Sequence, residues 1–367
     1  MTTPSLLRTP LHAAHIAAGA RMAPFAGWEM PLHYGSQIDE HHATRKACGL
    51  FDVSHMGQVR ITGCDALKLV QAIVTRDVAH LGDGRSAYCA MCNRAGGLLD
   101  DLIVSRLAMG DYLLVVNAGT YEGDLAQMHA VEREFGPFDA RIDGCRDDWA
   151  MLAVQGPEAP AVLARVLGGG LDPPAMRMIS VEWRGQAFWL STTGYTGERG
   201  AELIAPVEMA RDLWDALMAA GARPVGLAAR DTLRLEQAFN LSGQDFTAQN
   251  HPFEVRLGWV VDLDKPDFCG REALRAIRAG VCPRQQCGLL PEGRRIPRHG
   301  ARVLHQGKQV GVVTSGGFSP TLDRPIALGL LQSQMVKSEE PLEIDLGRGA
   351  TVPAVITPLP FLRAQPL

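Results

Sequence analysis

Two adjacent carboxylates, Asp100 and Asp101, stand between a glycine turn and an apolar run, an unusual place for charge. They belong to residues 93–104, which read Asn-Arg-Ala-Gly-Gly-Leu-Leu-Asp-Asp-Leu-Ile-Val. In a strand, successive side chains face opposite sides, so Asp101 shares a face with Leu99 and Ile103 and Asp100 takes the other face. Because a carboxylate among apolar neighbours is costly, at least one of the two should meet a cavity or a partner. A plain glycine–aspartate hairpin turn is the alternative interpretation.

A second segment, residues 194–202, reads Gly-Tyr-Thr-Gly-Glu-Arg-Gly-Ala-Glu and predicts a glycine loop that runs into a strand. Closely spaced glycines let a flat ligand approach the backbone. The segment lacks the Lys-Ser/Thr ending of a phosphate-binding loop. A simple hairpin turn explains the pattern equally well.

A third segment, residues 226–236, carries charges on a predicted helix. Arg230 and Arg234 stand four residues apart, with Asp231 and Glu236 near enough in sequence to pair with them. A solvated helix face is the usual explanation for such charges. The small apolar residues around them instead favour a buried helix start, where an arginine needs a carboxylate partner.

The eleven histidines and eight cysteines invite a metal-site hypothesis that their spacing does not support. Residues 40–42, Glu-His-His, and 54–56, Ser-His-Met, lack the i, i+4 spacing of helical zinc ligands. Cys89 and Cys92 have C-x-x-C spacing without a second pair nearby, which favours strand packing. We therefore predict no metal, and the absence of a G-x-S-x-G sequence argues against a serine hydrolase.

Composition describes an ordinary globular protein of two or three packed units. The chain has 367 residues, of which 46% are hydrophobic and 21% charged, and its net charge is -4. Such a charge gives no general reason to bind nucleic acid, and no apolar stretch approaches the length of a spanning helix. We expect a cytoplasmic protein that binds neither nucleic acid nor membrane, and whose cysteines do not form a disulfide framework.

The order of the predicted elements indicates an α+β region followed by a separate small β domain, with a boundary near residue 280. Helical and strand-like patterns mix before that point, and short β-like pieces punctuated by glycine and proline follow it. We predict helices over residues 37–47, 65–74, 157–167 and 206–220, and strands over 58–62, 102–106, 112–116, 149–154, 302–305, 310–314, 342–346 and 351–356.

Six motifs follow one another along the chain: Phe-Ala-Gly-Trp-Glu-Met-Pro at 25–31, Phe-Asp-Val-Ser-His-Met-Gly at 51–57, residues 96–104, 194–202 and 226–236, and Ser-Gly-Gly-Phe-Ser-Pro at 315–320. Together they resemble the T-protein family of the glycine cleavage system, the tetrahydrofolate-dependent aminomethyltransferases. The resemblance runs from about residue 8 to residue 363, almost the whole chain. Six ordered motifs are far more specific than any one glycine loop.

The resemblance implies an α+β fold, a three-domain cloverleaf of two interleaved α+β domains and a C-terminal β-barrel around a central folate channel. Residues 1–280 would form the folate-binding aminomethyltransferase region. Its first domain would be discontinuous, with residues of about 57–137 inserted as the second domain. Residues 281–367 would form the barrel.

The resemblance also implies a set of site residues. Asp101 matches the family's essential carboxylate beside the reacting nitrogens of tetrahydrofolate. Glu202 matches a glutamate that accepts hydrogen bonds from the pterin's N–H donors, a role that suits a carboxylate. The other matches are the channel-lining aromatics Tyr88 and Tyr195, a polar contact from Asn117, the folate-site arginine Arg230, and a further contact from Arg363.

The function implied is that of the glycine cleavage aminomethyltransferase. The protein would accept the aminomethyl group from the lipoyl arm of the H-protein, transfer its carbon to tetrahydrofolate and release ammonia. The products would be 5,10-methylenetetrahydrofolate and dihydrolipoyl H-protein. The expected partners are therefore lipoylated H-protein and tetrahydrofolate, the latter as one-carbon acceptor.

Two alternatives of the same fold are less consistent with the residues. A folate-binding iron–sulfur assembly factor would carry a Lys-Gly-Cys-Tyr-x-Gly-Gln-Glu motif, which residues 267–272, Asp-Phe-Cys-Gly-Arg-Glu, do not match. An oxidative demethylase needs an added flavin domain, and Gly-Asp-Gly-Arg-Ser-Ala at 82–87 leads into a predicted strand rather than a helix.

Two departures from the family pattern remain: Arg199 in place of an acidic residue alters a loop surface, and Ser105 in place of an aromatic could remove one pterin contact.

Overall fold

The computed structural model describes residues 5–169, 173–338 and 340–362, and within them the chain divides into two compact units. The first unit holds the described parts of Met1–Leu69 and Leu102–Asp231, together with Val78–Tyr88. The second unit holds Val70–Asp77, Cys89–Asp101 and the described part of Thr232–Leu367. The chain thus passes repeatedly between the units. The three-domain partition of the cloverleaf stays a prediction.

The helices lie close to where the sequence places them. The segment 206–220 differs at its start, because Val207–Met209 forms a 3-10 turn before the α-helix begins at Ala210. Ser36 accepts a hydrogen bond from the Asp39 N–H at 3.2 Å and caps the second helix. The helices are α1 His12–Ala17, α2 Gln37–Lys46, α3 Ala66–Ile73, α4 Tyr121–Phe135, α5 Ala159–Leu167, α6 Ala210–Ala219, α7 Leu227–Glu236, α8 Arg271–Ala279 and α9 Ser333–Val336.

Each strand predicted from alternation is present, and the structure adds others. The strands are β1 Arg21–Phe25, β2 Trp28–His33, β3 Gly49–Asp52, β4 Gly57–Thr62, β5 Arg85–Cys92, β6 Leu98–Ala108, β7 Asp111–Val116, β8 Arg141–Gly144, β9 Trp149–Gln155, β10 Met178–Trp183, β11 Gln186–Ser191, β12 Gly200–Pro206, β13 Arg223–Pro224, β14 Arg284–Pro291, β15 Arg302–His305, β16 Lys308–Ser319, β17 Arg324–Gln332, β18 Leu342–Asp345 and β19 Thr351–Thr357.

The first unit contains a sheet whose strands, in the described ranges, run in the order β10-β11-β12-β9-β3-β13. Neighbours pair antiparallel except β3 and β13, which are parallel. Leu50, Leu152 and Leu203 of this sheet pack with Leu213 and Trp214 of α6 in one hydrophobic core. The apolar stripe that predicted the α6 helix therefore faces the sheet that carries Glu202.

A further sheet runs β5-β6-β7-β4-β8 in the part of the chain that is described. Along β6, Leu98, Asp100 and Leu102 are buried, whereas Leu99, Asp101 and Ile103 are partly exposed. The period-2 alternation is the one expected of a strand with one covered face. The predicted separation of the two aspartates onto opposite faces is confirmed.

The C-terminal region closes into a β-barrel in the order β14-β17-β16-β15-β18-β19, completed by antiparallel pairing of β14 with β19. Leu289, Val303, Val313, Leu331 and Ile344 are fully buried in its core. The structure confirms an α+β protein with a C-terminal barrel. Among the helices of the described residues, none is long and apolar enough to cross a membrane.

Arg234 of α7 decides between a solvated helix face and a buried helix for the charges of residues 226–236. Its side chain is 1% exposed, and its guanidinium donates to Asp245 at 2.6 Å and to the Ser315 hydroxyl at 2.8 Å, all within the second unit. Burial of this ion pair confirms the buried-helix interpretation for Arg234. Its carboxylate partner is Asp245, and Glu236 instead accepts a hydrogen bond from Thr321 at 3.0 Å.

A buried lysine closes the C-terminal end of α3 within the second unit. Lys265 is 3% exposed, and its ammonium donates to the carbonyls of Gln71, Val74 and Arg76 at 2.7, 2.7 and 3.0 Å. The carbonyls of Gln71 and Val74 lie where a helix end leaves acceptors unsatisfied, and that of Arg76 lies in the segment that follows. Lys265 therefore caps the C-terminal end of α3 from a distant part of the sequence.

Candidate functional site

Glu202 is a buried carboxylate on β12 of the first unit. It is 8% exposed and lies opposite Ser191 of β11 and Ala153 of β9. Burial raises the pKa of Glu202, while a hydrogen bond donated by the Thr193 hydroxyl and the nearby charge of Arg230 act in the opposite direction. Glu202 is thus a desolvated acceptor with capacity for further donors.

Arg230 and Tyr195 stand beside this carboxylate in the first unit. The Arg230 guanidinium carbon lies 4.7 Å from the centre of the Tyr195 ring, a cation–π distance. Burial lowers the pKa of Arg230, and Glu202 and then Tyr195 oppose that shift. The buried Nη1 atom of Arg230 has no hydrogen-bond partner among the described residues. An acceptor on a ligand would satisfy this donor.

The start of α7, which carries Arg230, is held by a second buried glutamate. Glu40 of α2 accepts hydrogen bonds from the Gly226 N–H at 2.9 Å and the Tyr34 N–H at 2.7 Å. A Cβ atom on Gly226 would lie 2.4 Å from the carbonyl oxygen of Leu32. Only glycine permits this approach, so the helix start is fixed against β2.

The loop before β12 is anchored at several points. The Thr196 hydroxyl donates to the Gln155 side chain at 2.8 Å, and Arg45 donates to Glu198 at 2.8 Å. Gly200 has φ +150°, and a Cβ there would meet the Val154 carbonyl. The predicted glycine loop running into a strand is confirmed. Arg199 is exposed on it, so that departure changes a loop surface.

The two aspartates of β6 lie in the second unit and differ in accessibility. Asp100 is fully buried, whereas Asp101 is partly exposed on the face of Leu99 and Ile103. Of the two, Asp101 is therefore the carboxylate that a ligand could reach. Its role as the catalytic carboxylate stays a prediction.

The remaining predicted contacts fall in different places. Tyr88 is partly buried on β5, and Asn117 follows β7, where its carbonyl accepts from the Thr120 N–H at 3.3 Å. Both belong to the first unit. Arg363 lies outside the described residues. Tyr195, Glu202 and Arg230 are thus the predicted site residues that the structure brings together.

Ser105 is fully buried on β6, and its hydroxyl lies 2.8 Å from the hydroxyl of Ser86, with which it hydrogen-bonds.

Cys89 and Cys92 are fully buried on β5, and burial raises the pKa of Cys89 to about 12. Both cysteines thus serve packing. Within the described ranges, no three histidine, cysteine, aspartate or glutamate side chains gather as metal ligands would.

Sequence reasoning missed two polar groups of this region. Thr193 hydrogen-bonds Glu202, but a threonine at the end of a strand carries no signal that separates this role from ordinary strand propensity. His55, considered only as a metal ligand, is a buried histidine whose Nδ1 has no hydrogen-bond partner in the described part of the chain. The surroundings of both side chains are set by tertiary packing, which local sequence patterns do not reveal.

The cluster of Glu202, Arg230 and Tyr195 suits a flat heterocycle with mixed polar edges. The carboxylate can accept from two adjacent N–H donors, the free Nη1 can donate to an acceptor, and the tyrosine ring offers an aromatic surface. Small-molecule sites typically combine apolar walls with a few such convergent groups.

Comparison with known proteins places the chain in a family. Residues 11–265 match the model of the GCVT N-terminal domain, and residues 284–362 match that of the glycine cleavage T-protein C-terminal barrel domain. The chain is 46% identical over 323 residues to an aminomethyltransferase of Methylococcus capsulatus, covering 87% of this chain and 88% of that protein. It is 43% identical to one of Chromobacterium violaceum, covering 99% of this chain and 98% of the other.

A solved structure is also similar. The crystal structure of glycine cleavage system aminomethyltransferase T from Bartonella henselae superposes with a TM-score of 0.92 at 35% identity, covering 98% of this chain and 99% of that one. The matched part of the chain includes both family domains, the second of which is the barrel. The chain belongs to the glycine cleavage T-protein family, as do the aminomethyltransferases named above.

Proposed function

We propose that this aminomethyltransferase takes the aminomethyl group from the lipoyl arm of the H-protein and delivers its carbon to tetrahydrofolate. The observation that carries the proposal is the cluster of buried Glu202 with the partly buried Arg230 and Tyr195 in a chain of this family. The products are 5,10-methylenetetrahydrofolate, dihydrolipoyl H-protein and ammonia.

The bond changes of this transfer balance without an oxidant or reductant. The carbon–sulfur bond of the aminomethyl thioether breaks with its electron pair going to sulfur, and the carbon–nitrogen bond to the departing ammonia also breaks. Two carbon–nitrogen bonds form, to N5 and N10 of tetrahydrofolate. The protons lost from these two nitrogens are those gained by the thiolate and the ammonia. Proton handling and stabilisation of an iminium-like cation are therefore what the protein must supply.

Glu202 would hold the pterin through its donor edge. A pterin presents a ring N–H and an exocyclic amino group side by side, and one carboxylate can accept from both. Arg230 and Tyr195 would complete this end of the site, and Tyr88, Asn117 and Arg363 are proposed as further folate contacts. Burial of Glu202 makes the hydrogen bonds it accepts more selective than they would be in water.

Asp101 would act on the reacting nitrogens. A fixed carboxylate in a poorly solvated channel stabilises and orients a developing positive charge, and it can accept a proton from a folate nitrogen. The partial exposure of Asp101, beside the complete burial of Asp100, supports its choice as the reacting carboxylate.

Single-turnover release of ammonia from aminomethyl-loaded H-protein, with and without tetrahydrofolate, tests the proposal. We expect folate-dependent ammonia in equal amount to 5,10-methylenetetrahydrofolate. Tight folate binding without turnover, using demonstrably loaded carrier, would contradict the transferase function and place the chain among folate-binding assembly factors. Omission of folate is the matched control in the same preparation.

A further inference from the structure

His55, which follows β3 in the first unit, is a core histidine with an unused ring nitrogen. Its side chain is 2% exposed, and its ring packs edge-on against Phe25 with the ring centres 5.6 Å apart. The buried Nδ1 has no hydrogen-bond partner among the described residues. Buried polar atoms are normally paired, so this exception requires an explanation.

Another buried histidine of the same unit shows the ordinary pattern. His15 is fully buried, its Nε2 lies 2.8 Å from Asp52, and its Nδ1 lies 2.8 Å from the Tyr34 hydroxyl. Both ring nitrogens of His15 are therefore used inside the protein. His55 is not a second example of such a structural histidine.

The unused nitrogen of His55 has a neighbour with the same property. Burial, and then the nearby charge of Arg230, lower the pKa of His55 to about 4, with Asp52 acting in the opposite direction. His55 is therefore neutral at pH 7. Arg230 also has a buried nitrogen, Nη1, without a partner in the described chain. Two unsatisfied polar atoms thus belong to side chains of which one, Arg230, acts on the charge state of the other.

The local charges indicate what these atoms would bind. The positive charge of Arg230 is opposed by Glu202 within the cluster. A further anion is therefore not required, and a neutral acceptor fits both a guanidinium N–H and a neutral imidazole N–H. On a pterin, the group next to the ring N–H of the donor edge is a ring oxo oxygen, which is such an acceptor.

We propose that His55 is a further substrate-binding residue, which together with Arg230 holds the ring oxo group of the pterin beside the edge that Glu202 binds. The inference rests on the proposed function, since it takes tetrahydrofolate as the ligand. It assigns the Nδ1 proton to His55 in the complex. It also explains why a histidine in a core leaves one nitrogen unpaired in the free protein.

The proposal predicts opposite effects on stability and on binding. Since Nδ1 has no partner in the free protein, His55→Leu removes a desolvated polar atom and breaks no hydrogen bond from it. The melting temperature of the ligand-free variant should equal or exceed that of the parent. A histidine with a purely structural role would instead lose stability on this change.

The experiment measures the Kd of tetrahydrofolate, and of its analogue with an amino group in place of the ring oxo group, for the parent, His55→Leu and His55→Asn. The analogue presents a donor where the oxo group is an acceptor, and the ring nitrogen beside it carries no hydrogen, so the effect of each His55 variant is compared with the parent separately for each ligand. We expect His55→Leu to weaken tetrahydrofolate about tenfold and the amino analogue less than about twofold. Asparagine, whose side-chain nitrogen can occupy a position near Nδ1, should recover most of the affinity.

Several results would overturn the inference. These are an unchanged Kd for tetrahydrofolate in His55→Leu, an equal loss for both ligands, or a leucine variant that is less stable or does not fold. The two proposals fail in distinguishable ways. A parent protein that neither binds nor uses tetrahydrofolate refutes the proposed function, and this inference with it. A parent that turns over while its His55 variants bind both ligands normally refutes only the role of His55.

Discussion

The depressed pKa of His55 makes the stability of the first unit sensitive to acid, and His55→Asn should remove that sensitivity. A group whose folded pKa lies below its unfolded value binds a proton more readily after unfolding. Its contribution to stability is therefore complete above the unfolded pKa of 6.5 and is lost as the pH falls toward about 4. The asparagine variant has no proton to take up in this range.

The size of the effect follows from the two pKa values. Each pH unit between them costs about 1.4 kcal/mol, so the parent should lose about 2 kcal/mol at pH 5 that the variant keeps. His55 is almost completely buried, so solvent screening reduces this value little. The charges that act on it in the structure are Arg230 and Asp52.

Urea denaturation at several values between pH 7 and pH 4.5, followed by tryptophan fluorescence, measures this difference. Five of the six tryptophans lie in the first unit, so the signal reports mainly on that unit; they are Trp28, Trp149, Trp183, Trp189 and Trp214. Phe25→Leu is the matched control, because it changes the packing of the His55 ring and removes no titrating group. Parallel stability curves for the parent and His55→Asn would refute the reasoning.

Three further predictions concern other parts of the molecule. Asp101→Asn should lower kcat about a hundredfold and change the Kd of tetrahydrofolate less than about threefold. The control is Asp147→Asn, whose side chain is 87% exposed and which should change neither value. Equal kcat for the parent and Asp101→Asn would remove Asp101 from the mechanism. Glu202→Gln should weaken tetrahydrofolate about 10- to 100-fold by calorimetry, with the exposed Glu182→Gln on β10 as control, and wild-type affinity would be incompatible with a pterin contact. Lys265→Met should destabilise the protein by about 3 kcal/mol in urea, since three carbonyls, two of them in fully buried bonds, lose their donor; a cost below about 0.5 kcal/mol would contradict the capping role.

Local periodicity accounts for what the sequence predicted well. The faces of Asp100 and Asp101 follow from the two-residue repeat of a strand, which needs no knowledge of the partner strands. The segment 206–220 shows the limit of such reasoning. Its apolar stripe correctly predicts a helix, but the transition from β12 through a 3-10 turn delays the start to Ala210.

Long-range partners could not be read from the sequence. Arg234 has two acidic residues nearby on its own helix, yet its partner is Asp245 in a following loop. The buried nitrogens of His55 and Arg230 are likewise unpaired because tertiary packing of the described residues places no acceptor or donor beside them, and the sequence does not show this. The resemblance to a family supplied Glu202, Arg230 and Tyr195 as a set, but not Thr193, because nothing local distinguishes that threonine.

The protonation state of the cysteines determines whether they can undergo thiol–disulfide exchange with the lipoyl group of the proposed carrier. Thiol–disulfide exchange requires a thiolate, and burial raises the pKa of Cys48, Cys89 and Cys287 to about 12. Even exposed Cys64 has a raised pKa, chiefly because its thiol hydrogen-bonds Asp139. These thiols stay protonated at pH 7. Mixed disulfides between these side chains and the lipoyl group of the proposed carrier are therefore disfavoured.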